Sequence, residues 1–161
     1  LLGLFLHRSY ANRGNPIPNN FNKDMTSPMD NKIRVQQFQD DLARHFAGEA
    51  VDFTAHFTEQ TKWHLPQSTA SPLLQGRNAV IAMFEQGVSS YYQPDTMRFE
   101  HLHRIAEDDL VHSHFSLTAK TATGQHYHNH YQSLFRLEEG LIAEVWEYFD
   151  TAYLNAVFSG G

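Results

Sequence analysis

The chain has 161 residues, of which 41% are hydrophobic, and this is enough for one domain with a sizeable core. Its formal net charge is −6 and it has no basic block, so neither nucleic acid nor an anionic membrane is expected as its main partner. The lack of cysteine excludes disulfides and thiolate chemistry from this sequence. Eleven histidines make the charge sensitive to pH near about 6–7.

The first residues do not show the pattern of a folded element. The apolar residues 1–6 are too few for a membrane span or for the core of a signal peptide, and the residues that follow are rich in Asn, Pro and Gly. We predict a mobile lead-in over residues 1–31, with Met25 and Met29 as alternative native starts. A single domain is predicted over residues 32–159, and the cytoplasm is the expected location.

Helical periodicity is found in the first half of this domain. Apolar residues at three- and four-residue steps predict a helix over residues 32–46, a shorter one over residues 50–57, and a third that begins after Gly76. Between the last two helices, residues 60–65 are predicted to form a short strand that ends at Pro66.

Alternating patterns replace the helical ones in the second half. They predict strands over residues 97–105, 110–118, 126–137 and 141–150, joined by short turns. Both faces of the last strand are substantially apolar, so this strand is predicted to be central and covered on both sides. The order of elements predicts an α+β fold, in which about three helices cover the concave face of a curved antiparallel sheet.

Three stretches resemble the SnoaL-like branch of the nuclear transport factor 2-like superfamily, which includes ketosteroid isomerase. They are residues 61–66 (TKWHLP), 71–80 (SPLLQGRNAV) and 140–150 (GLIAEVWEYFD), and the resemblance spans roughly residues 32–158. It implies a cone-shaped α+β barrel with one deep apolar pocket for a hydrophobic small molecule, and a homodimer formed through the outer sheet face. Such pockets host isomerases, cyclases, dehydratases and epoxide hydrolases, but also non-catalytic binders.

The resemblance does not transfer one complete set of catalytic residues. Ketosteroid isomerase has its general base directly before a proline, where this chain has Leu65. The second acidic group of that enzyme falls on Ser133, and its helix-one tyrosine falls near Asp41. Limonene epoxide hydrolase has a catalytic aspartate in a place similar to that of Glu147.

Glu147 is the first candidate for proton transfer. It shares a strand face with Val145 and Phe149, and burial on that face would raise the pKa of its carboxyl group into a useful range. The alternative is a structural role, either at the mouth of the barrel or in an ion pair with Arg136.

Two histidines and one aspartate are the other catalytic candidates. His101 and His103 share a strand face with apolar neighbours, and we predict that one of them assists as an acid or base; the alternative is a structural role. Asp41 borders the apolar stripe of the first helix, where a solvated helix edge is the alternative. Ser133 or Tyr131 is predicted to bind a developing oxyanion. The predicted substrate-binding residues are Trp63, His64, Phe99, Phe115, Tyr131, Ser133 and Phe149.

Histidines at two-residue spacing raise the question of a metal site. A symmetric turn would place His103 opposite His112 and His101 opposite His114, and four imidazoles could hold zinc or iron. A change of register by one residue separates these pairs and aligns the apolar faces instead. We therefore predict no metal site and no cofactor.

The sequence leaves three hypotheses about function. The first is a cofactor-independent acid/base enzyme of the isomerase, cyclase, dehydratase or epoxide hydrolase type, which acts on a hydrophobic cyclic substrate. In this hypothesis Glu147 moves the proton and His103 or His101 assists. The second is a non-catalytic ligand-binding or dimerisation module with the same cavity. The third is a histidine-rich, metal-dependent protein.

Overall fold

A computed structural model describes residues 27–159 of the chain. Most of the predicted lead-in lies outside these residues, but its predicted end at residue 31 is wrong, because the first helix begins at Pro28. Ser27 and Asp30 form a capping box at this helix start, and proline fits the first helical turn because its fixed φ suits a helix. The predicted domain start at residue 32 therefore falls inside this helix.

The elements alternate between helices and strands before a run of strands. In chain order they are α1 (Pro28–Phe46), a 3-10 turn (Phe53–His56), β1 (Phe57–His64), β2 (Leu73–Gln75), α2 (Arg77–Ala82), a π-helical segment (Met83–Val88), α3 (Ser89–Tyr91), a 3-10 turn (Pro94–Thr96), β3 (Arg98–Glu107), β4 (Leu110–Lys120), β5 (His126–Glu138), β6 (Leu141–Phe149) and α4 (Thr151–Ser159).

Two predicted elements differ from the observed ones. The predicted second helix is only a 3-10 turn, because β1 already begins at Phe57. The last strand is followed by α4, which the strand pattern did not predict. The α+β class itself is confirmed.

The six strands form one sheet in the order β2-β1-β6-β5-β4-β3. As predicted, β6 is central, since β1 and β5 flank it. The prediction of an antiparallel sheet is wrong for one pair, because β1 and β6 run parallel. A parallel pair needs a long connection, and here the intervening helices and strands supply it.

The core lies between α1 and one face of the sheet, which we call the inner face. The apolar stripe of α1 is buried and consists of Val35, Phe38, Leu42 and Phe46. The ring of Phe38 makes edge contacts with aromatic side chains from β1, the π-helical segment and β5, at centroid distances of 5.2–6.3 Å: Phe57, Trp63, Phe84 and Phe135. These contacts join the helix to the sheet around one aromatic centre.

A bulge at Leu102 changes the direction of the side chains in β3. Before it, His101 is paired with Phe115 of β4, which lies on the inner face, and after it His103 is paired with His114 on the outer face. An extra residue in one strand reverses the alternation that follows. The prediction that His103 shares the apolar face with His101 is therefore wrong, and Ile105, which is 67% exposed, has moved with it.

The bulge also removes the four-imidazole arrangement considered from the sequence. His103 Nδ1 lies 3.4 Å from His114 Nδ1, and His114 Nε2 lies 3.4 Å from His130 Nδ1, so these three rings follow one another along the outer face. His101 is on the other face. In residues 27–159, no three His, Asp or Glu side chains are arranged to hold a metal ion. None of the helices in this range is long and apolar enough to cross a membrane.

Candidate active site

A cavity of about 180 Å³ lies between the inner face of the sheet and the helices. Its walls are mostly aromatic and aliphatic, and they come from α1, from residues 83–88, from α4 and from strands β1 and β3 to β6. The apolar lining includes Leu42, Phe46, Met83, Phe99, Phe115 and Phe149. A concave apolar space with few polar groups is typical of small-molecule sites.

A row of polar residues crosses the inner face beneath this cavity. Arg104 of β3 pairs with Ser113 of β4, which pairs with Ser133 of β5, which pairs with Glu147 of β6. We call these four residues the polar row. On either side of it lie apolar cross-strand sets, namely Phe115, Tyr131 and Phe149 on one side and Val111, Phe135 and Val145 on the other. The four residues of the polar row thus form a narrow band between two apolar sets.

Glu147 lies deep in the cavity at one end of the polar row. Burial raises the pKa of its carboxyl group to about 7. The hydroxyl of Ser133 donates to Oε2 at 3.3 Å, and this contact and the nearby indole N–H of Trp63 oppose the increase. The indole N–H makes no hydrogen bond of normal length with any described residue. Glu147 therefore titrates near neutral pH, which suits a group that exchanges protons.

The structural alternative for Glu147, an ion pair with Arg136, is wrong. Arg136 Nη2 donates instead to Glu144 at 3.1 Å on the outer face, and its Nη1 is bound by Glu138. Alternation in β6 holds from residue 144 to residue 149, so neighbouring carboxylates of this strand lie on opposite faces.

Gln39 is a site residue that was not predicted from the sequence. It projects from α1 into the cavity lining and is only 7% exposed. Its Oε1 accepts hydrogen bonds from Arg104 Nη2 at 2.6 Å and from Ser113 Oγ at 3.1 Å. A signal was present, because Gln39 lies four residues after Val35 and three before Leu42, which makes it a polar residue on the apolar stripe.

Three hydroxyl and amide groups form a chain of hydrogen bonds at the other end of the cavity. Asn129 Nδ2 donates to Tyr127 Oη at 2.9 Å, and Tyr127 Oη lies 2.8 Å from Tyr131 Oη. Either Tyr127 or Tyr131 can be the donor in the second of these hydrogen bonds, and the hydroxyl group of Tyr92 also interacts with both. Burial, and next the neighbouring Tyr92, raise the pKa of Tyr131 well above its usual value, so it stays a neutral donor.

His101 lines the cavity, but its nitrogen atoms point elsewhere. Nδ1 lies 3.3 Å from Arg104 Nη2 and must accept from it, while Nε2 lies 4.0 Å from Asp40 Oδ1. Burial lowers the pKa of His101, and the charge of Arg104 lowers it further, so the ring is neutral at pH 7. Neither Arg104 nor Asp40 lines the cavity. This geometry argues against the predicted assisting role in proton transfer.

Two further predicted histidines do not reach the cavity. His103 follows the bulge and lies on the outer face beside His114. His64 also lies on the outer face, where its Nε2 is 2.8 Å from Glu144 Oε1 and its ring stacks on Trp146 at 5.3 Å. Alternation in β1 explains this position, since the adjacent Trp63 faces inward.

Asp41 does not reach the cavity either. Its carboxyl group is bound by His56 Nε2 at 2.9 Å and by Arg44 Nη1 at 3.2 Å. Asp41 lies on the side of the α1 stripe that faces the 3-10 turn, and so it connects two elements of the scaffold. The structure brings eight of the predicted residues together around the cavity: Trp63, Phe99, His101, Phe115, Tyr131, Ser133, Glu147 and Phe149.

Comparison with known families identifies the class of this protein. Residues 35–145 match the model of the SnoaL-like domain family, and the chain belongs to that family. Membership of the SnoaL-like branch of the nuclear transport factor 2-like superfamily, predicted from the three sequence stretches, is confirmed. No curated protein matches the chain.

Solved structures show the same cone-shaped α+β fold. Bal32a from a soil-derived mobile gene cassette is 22% identical, with a TM-score of 0.65 over 78% of this chain and 93% of that one. A provisionally named SnoaL-like polyketide cyclase from Jannaschia sp. CCS1 is 17% identical, with a TM-score of 0.70 over 86% and 99%. A provisionally named ketosteroid isomerase from Kribbella flavida DSM 17836 is 18% identical, with a TM-score of 0.63 over 80% and 84%.

Proposed function

We propose that this protein is a cofactor-independent acid/base enzyme that moves a proton within a hydrophobic, cyclic substrate. The observation that carries the proposal is Glu147, a carboxyl group whose pKa is raised to about 7 inside an apolar cavity. A group of this kind suits the proton transfers of isomerases, cyclases, dehydratases and epoxide hydrolases. The provisional names of two similar structures, a polyketide cyclase and a ketosteroid isomerase, support this class.

In this proposal Glu147 takes a proton from the substrate and returns it to another position. The ionised carboxylate is a stronger base in an apolar cavity than in water, because little solvent stabilises its charge. Negative charge then develops on a substrate oxygen, and the Tyr131 hydroxyl, aligned by Tyr127, is the proposed donor to it. Ser133 holds the carboxyl group in place through its hydrogen bond to Oε2.

A panel of cyclic enones and epoxides tests this proposal. Purified protein is incubated with each compound, and isomerised or hydrated products are measured by mass spectrometry and NMR. We expect turnover of at least one compound, and its loss in Glu147→Gln. A panel in which no compound is converted, although several bind, would instead support the non-catalytic alternative.

Replacement of Tyr131 by phenylalanine tests the donor. We expect kcat for the compound found in the panel to fall by about a hundredfold, because a donor to the oxyanion is lost while the ring is kept. Tyr148→Phe is the matched control, since Tyr148 is 63% exposed on the outer face and makes no contact with the cavity. Equal loss in both variants would contradict the role of Tyr131.

The second candidate is a ligand-binding module with the same cavity. It is favoured by Leu65, which lines the cavity at the position where ketosteroid isomerase has its base. In that case the carboxyl group of Glu147 serves as a hydrogen-bond donor to a ligand. Binding without conversion across the panel distinguishes this function from the first.

We also propose that the protein forms a homodimer through the outer sheet face. Large apolar side chains are exposed on this face, including Tyr148 at 63% and Ile105 at 67%, and a second copy would cover them. Light scattering should give twice the 18.5 kDa mass of one chain, and Tyr148→Asp should shift it towards one chain. A wild-type mass of one chain would contradict the proposal. The cytoplasmic location stays a prediction from the sequence.

A further inference from the structure

The orientation of the Gln39 side chain is determined by its neighbours. Its Oε1 accepts from Arg104 Nη2 at 2.6 Å and from Ser113 Oγ at 3.1 Å. A guanidinium group has donors and no acceptor, so the oxygen of the amide must face Arg104. Rotation of the amide would bring two donors together and would lose a charge-assisted hydrogen bond.

Arg104 is itself held in place. Its Nη1 donates to Gln36 Oε1 at 3.2 Å, and its Nη2 also lies 3.3 Å from His101 Nδ1. These contacts tie the guanidinium to α1 and to its own strand at once. The group that orients Gln39 is therefore part of the rigid scaffold and does not depend on a ligand.

The amide nitrogen of Gln39 is consequently left to face the cavity. It donates to no described residue, although Gln39 is 7% exposed and lines the cavity. Among described residues, the fully buried side-chain nitrogens without a partner belong to Trp63 and Arg104, so the Gln39 nitrogen keeps accessible surface. A donor in this position stays unpaired unless something in the cavity accepts from it.

The position of this donor relative to Glu147 follows from the strand register. Ser113, which donates to Gln39, is paired with Ser133, which donates to Glu147. Neighbouring strands are about 4.8 Å apart, so the amide and the carboxyl group lie at opposite ends of a band about 10 Å long. A ring system in the cavity spans this distance.

We propose that Gln39 determines which ligands the cavity accepts, because its amide N–H groups bind an acceptor-only oxygen, such as that of a ketone. The inference rests on the proposed function, in which a hydrophobic cyclic compound occupies the cavity. A ketone oxygen satisfies the donor completely. The hydroxyl group of an alcohol carries its own hydrogen, and the acceptor of the same amide, Gln39 Oε1, already receives two hydrogen bonds. That hydrogen would stay unpaired in apolar surroundings.

Three probes with one carbon frame test this: 1-tetralone, 1-tetralol and tetralin, titrated into the full-length protein and followed by calorimetry. We expect 1-tetralone to bind at least about tenfold more tightly than either of the others. Gln39→Glu keeps an oxygen for Arg104 and Ser113 but turns an acceptor towards the cavity. In this variant the affinity for 1-tetralone should fall about tenfold and 1-tetralol should become the preferred probe.

Gln36→Glu is the matched control. It adds the same charge to the same helix and beside the same Arg104, but Gln36 is exposed and does not line the cavity. It should leave the order of the three probes unchanged. An equal loss of 1-tetralone affinity in both variants would mean that charge alone acts, and it would overturn the proposal.

A second readout needs no variant. In the wild-type protein, the side-chain amide signals of Gln39 in a ¹⁵N–¹H NMR spectrum should shift when 1-tetralone binds and stay in place when tetralin binds. Binding of 1-tetralone without such a shift, unchanged selectivity in Gln39→Glu, or no binding of any probe to the wild type would overturn the inference. Because the readout is binding, the absence of turnover by the wild type in the enone and epoxide panel is a separate outcome, which would count against the proposed function alone.

Discussion

Glu147→Gln should lower kcat by about a thousandfold for any compound that the enone and epoxide panel shows to be a substrate. Glutamine keeps the size of the side chain and an oxygen that accepts from Ser133, but it cannot take up a proton. The loss should therefore fall on kcat, with a much smaller change in KM. Steady-state kinetics with the purified variant and a check of its fold by circular dichroism give the measurement.

Glu144→Gln is the matched control for this prediction. Glu144 is on the same strand, three residues earlier, but its carboxyl group lies on the outer face and binds His64 and Arg136. Its replacement should leave kcat within about twofold of the wild type. A Glu147→Gln enzyme that keeps most of its activity would remove Glu147 from the mechanism.

The pH profile of the wild-type enzyme follows from the same group. If Glu147 acts as the base, kcat/KM should rise as pH increases through about 7, where the carboxyl group loses its proton, and level off above. The inflection should be absent in the residual activity of Glu147→Gln. A wild-type profile that is flat between pH 6 and pH 8 would contradict a titrating Glu147.

The second large effect is on stability, which Glu147→Gln should increase. The pKa of Glu147 rises from its ordinary value of 4.5 in the unfolded chain to about 7 in the folded one. Between these two values the folded state binds more protons than the unfolded state, so stability is greatest below about 4.5 and is lost as pH rises through about 7. The difference between the two pKa values corresponds to about 3 kcal/mol of unfolding free energy.

Glu147→Gln removes this pH-dependent loss. The quantity of interest is the unfolding free energy of the variant minus that of the wild type. We expect this difference to be larger at pH 8 than at pH 4.5, by up to about 3 kcal/mol. Urea unfolding of both proteins across this range measures the effect, and the difference between them cancels the titration of the other groups. If the difference in unfolding free energy between the variant and the wild type is the same at pH 4.5 and at pH 8, Glu147 does not titrate as proposed.

Glu144→Gln should change stability in the opposite direction. The hydrogen bond from His64 lowers the pKa of Glu144, and Arg136 lowers it further, so its carboxylate stabilises the fold above the ordinary carboxyl pKa. Loss of that carboxylate should make the variant less stable than the wild type at pH 7, and the deficit should shrink as the solution is acidified. Two glutamates on one strand thus act with opposite signs, because one faces an apolar cavity and the other faces donors. A buried carboxyl group that costs stability is expected at a functional site.

The class of fold could be predicted from the sequence because its signals are local. The three- and four-residue spacing of Val35, Phe38 and Leu42 defines the buried stripe of α1 without knowledge of its partner. Strict alternation in β6 placed Glu147 on the face of Val145 and Phe149, and no bulge interrupts residues 144–149. The short motifs of the SnoaL-like family added the cone shape and the cavity.

The rest of the candidate site depends on pairing between strands and helices, which only the tertiary structure decided. The bulge at Leu102 arises in the register of β3 against β4, and it moved His103 outward and brought Arg104 to the inner face. Gln39 became a site residue because Arg104 and Ser113, both far away in sequence, bind its oxygen and leave its nitrogen to the cavity. The spacing of apolar residues predicts which face of a helix or strand each residue lies on. It does not report which donors and acceptors another element will place opposite, and those decide what the cavity can bind.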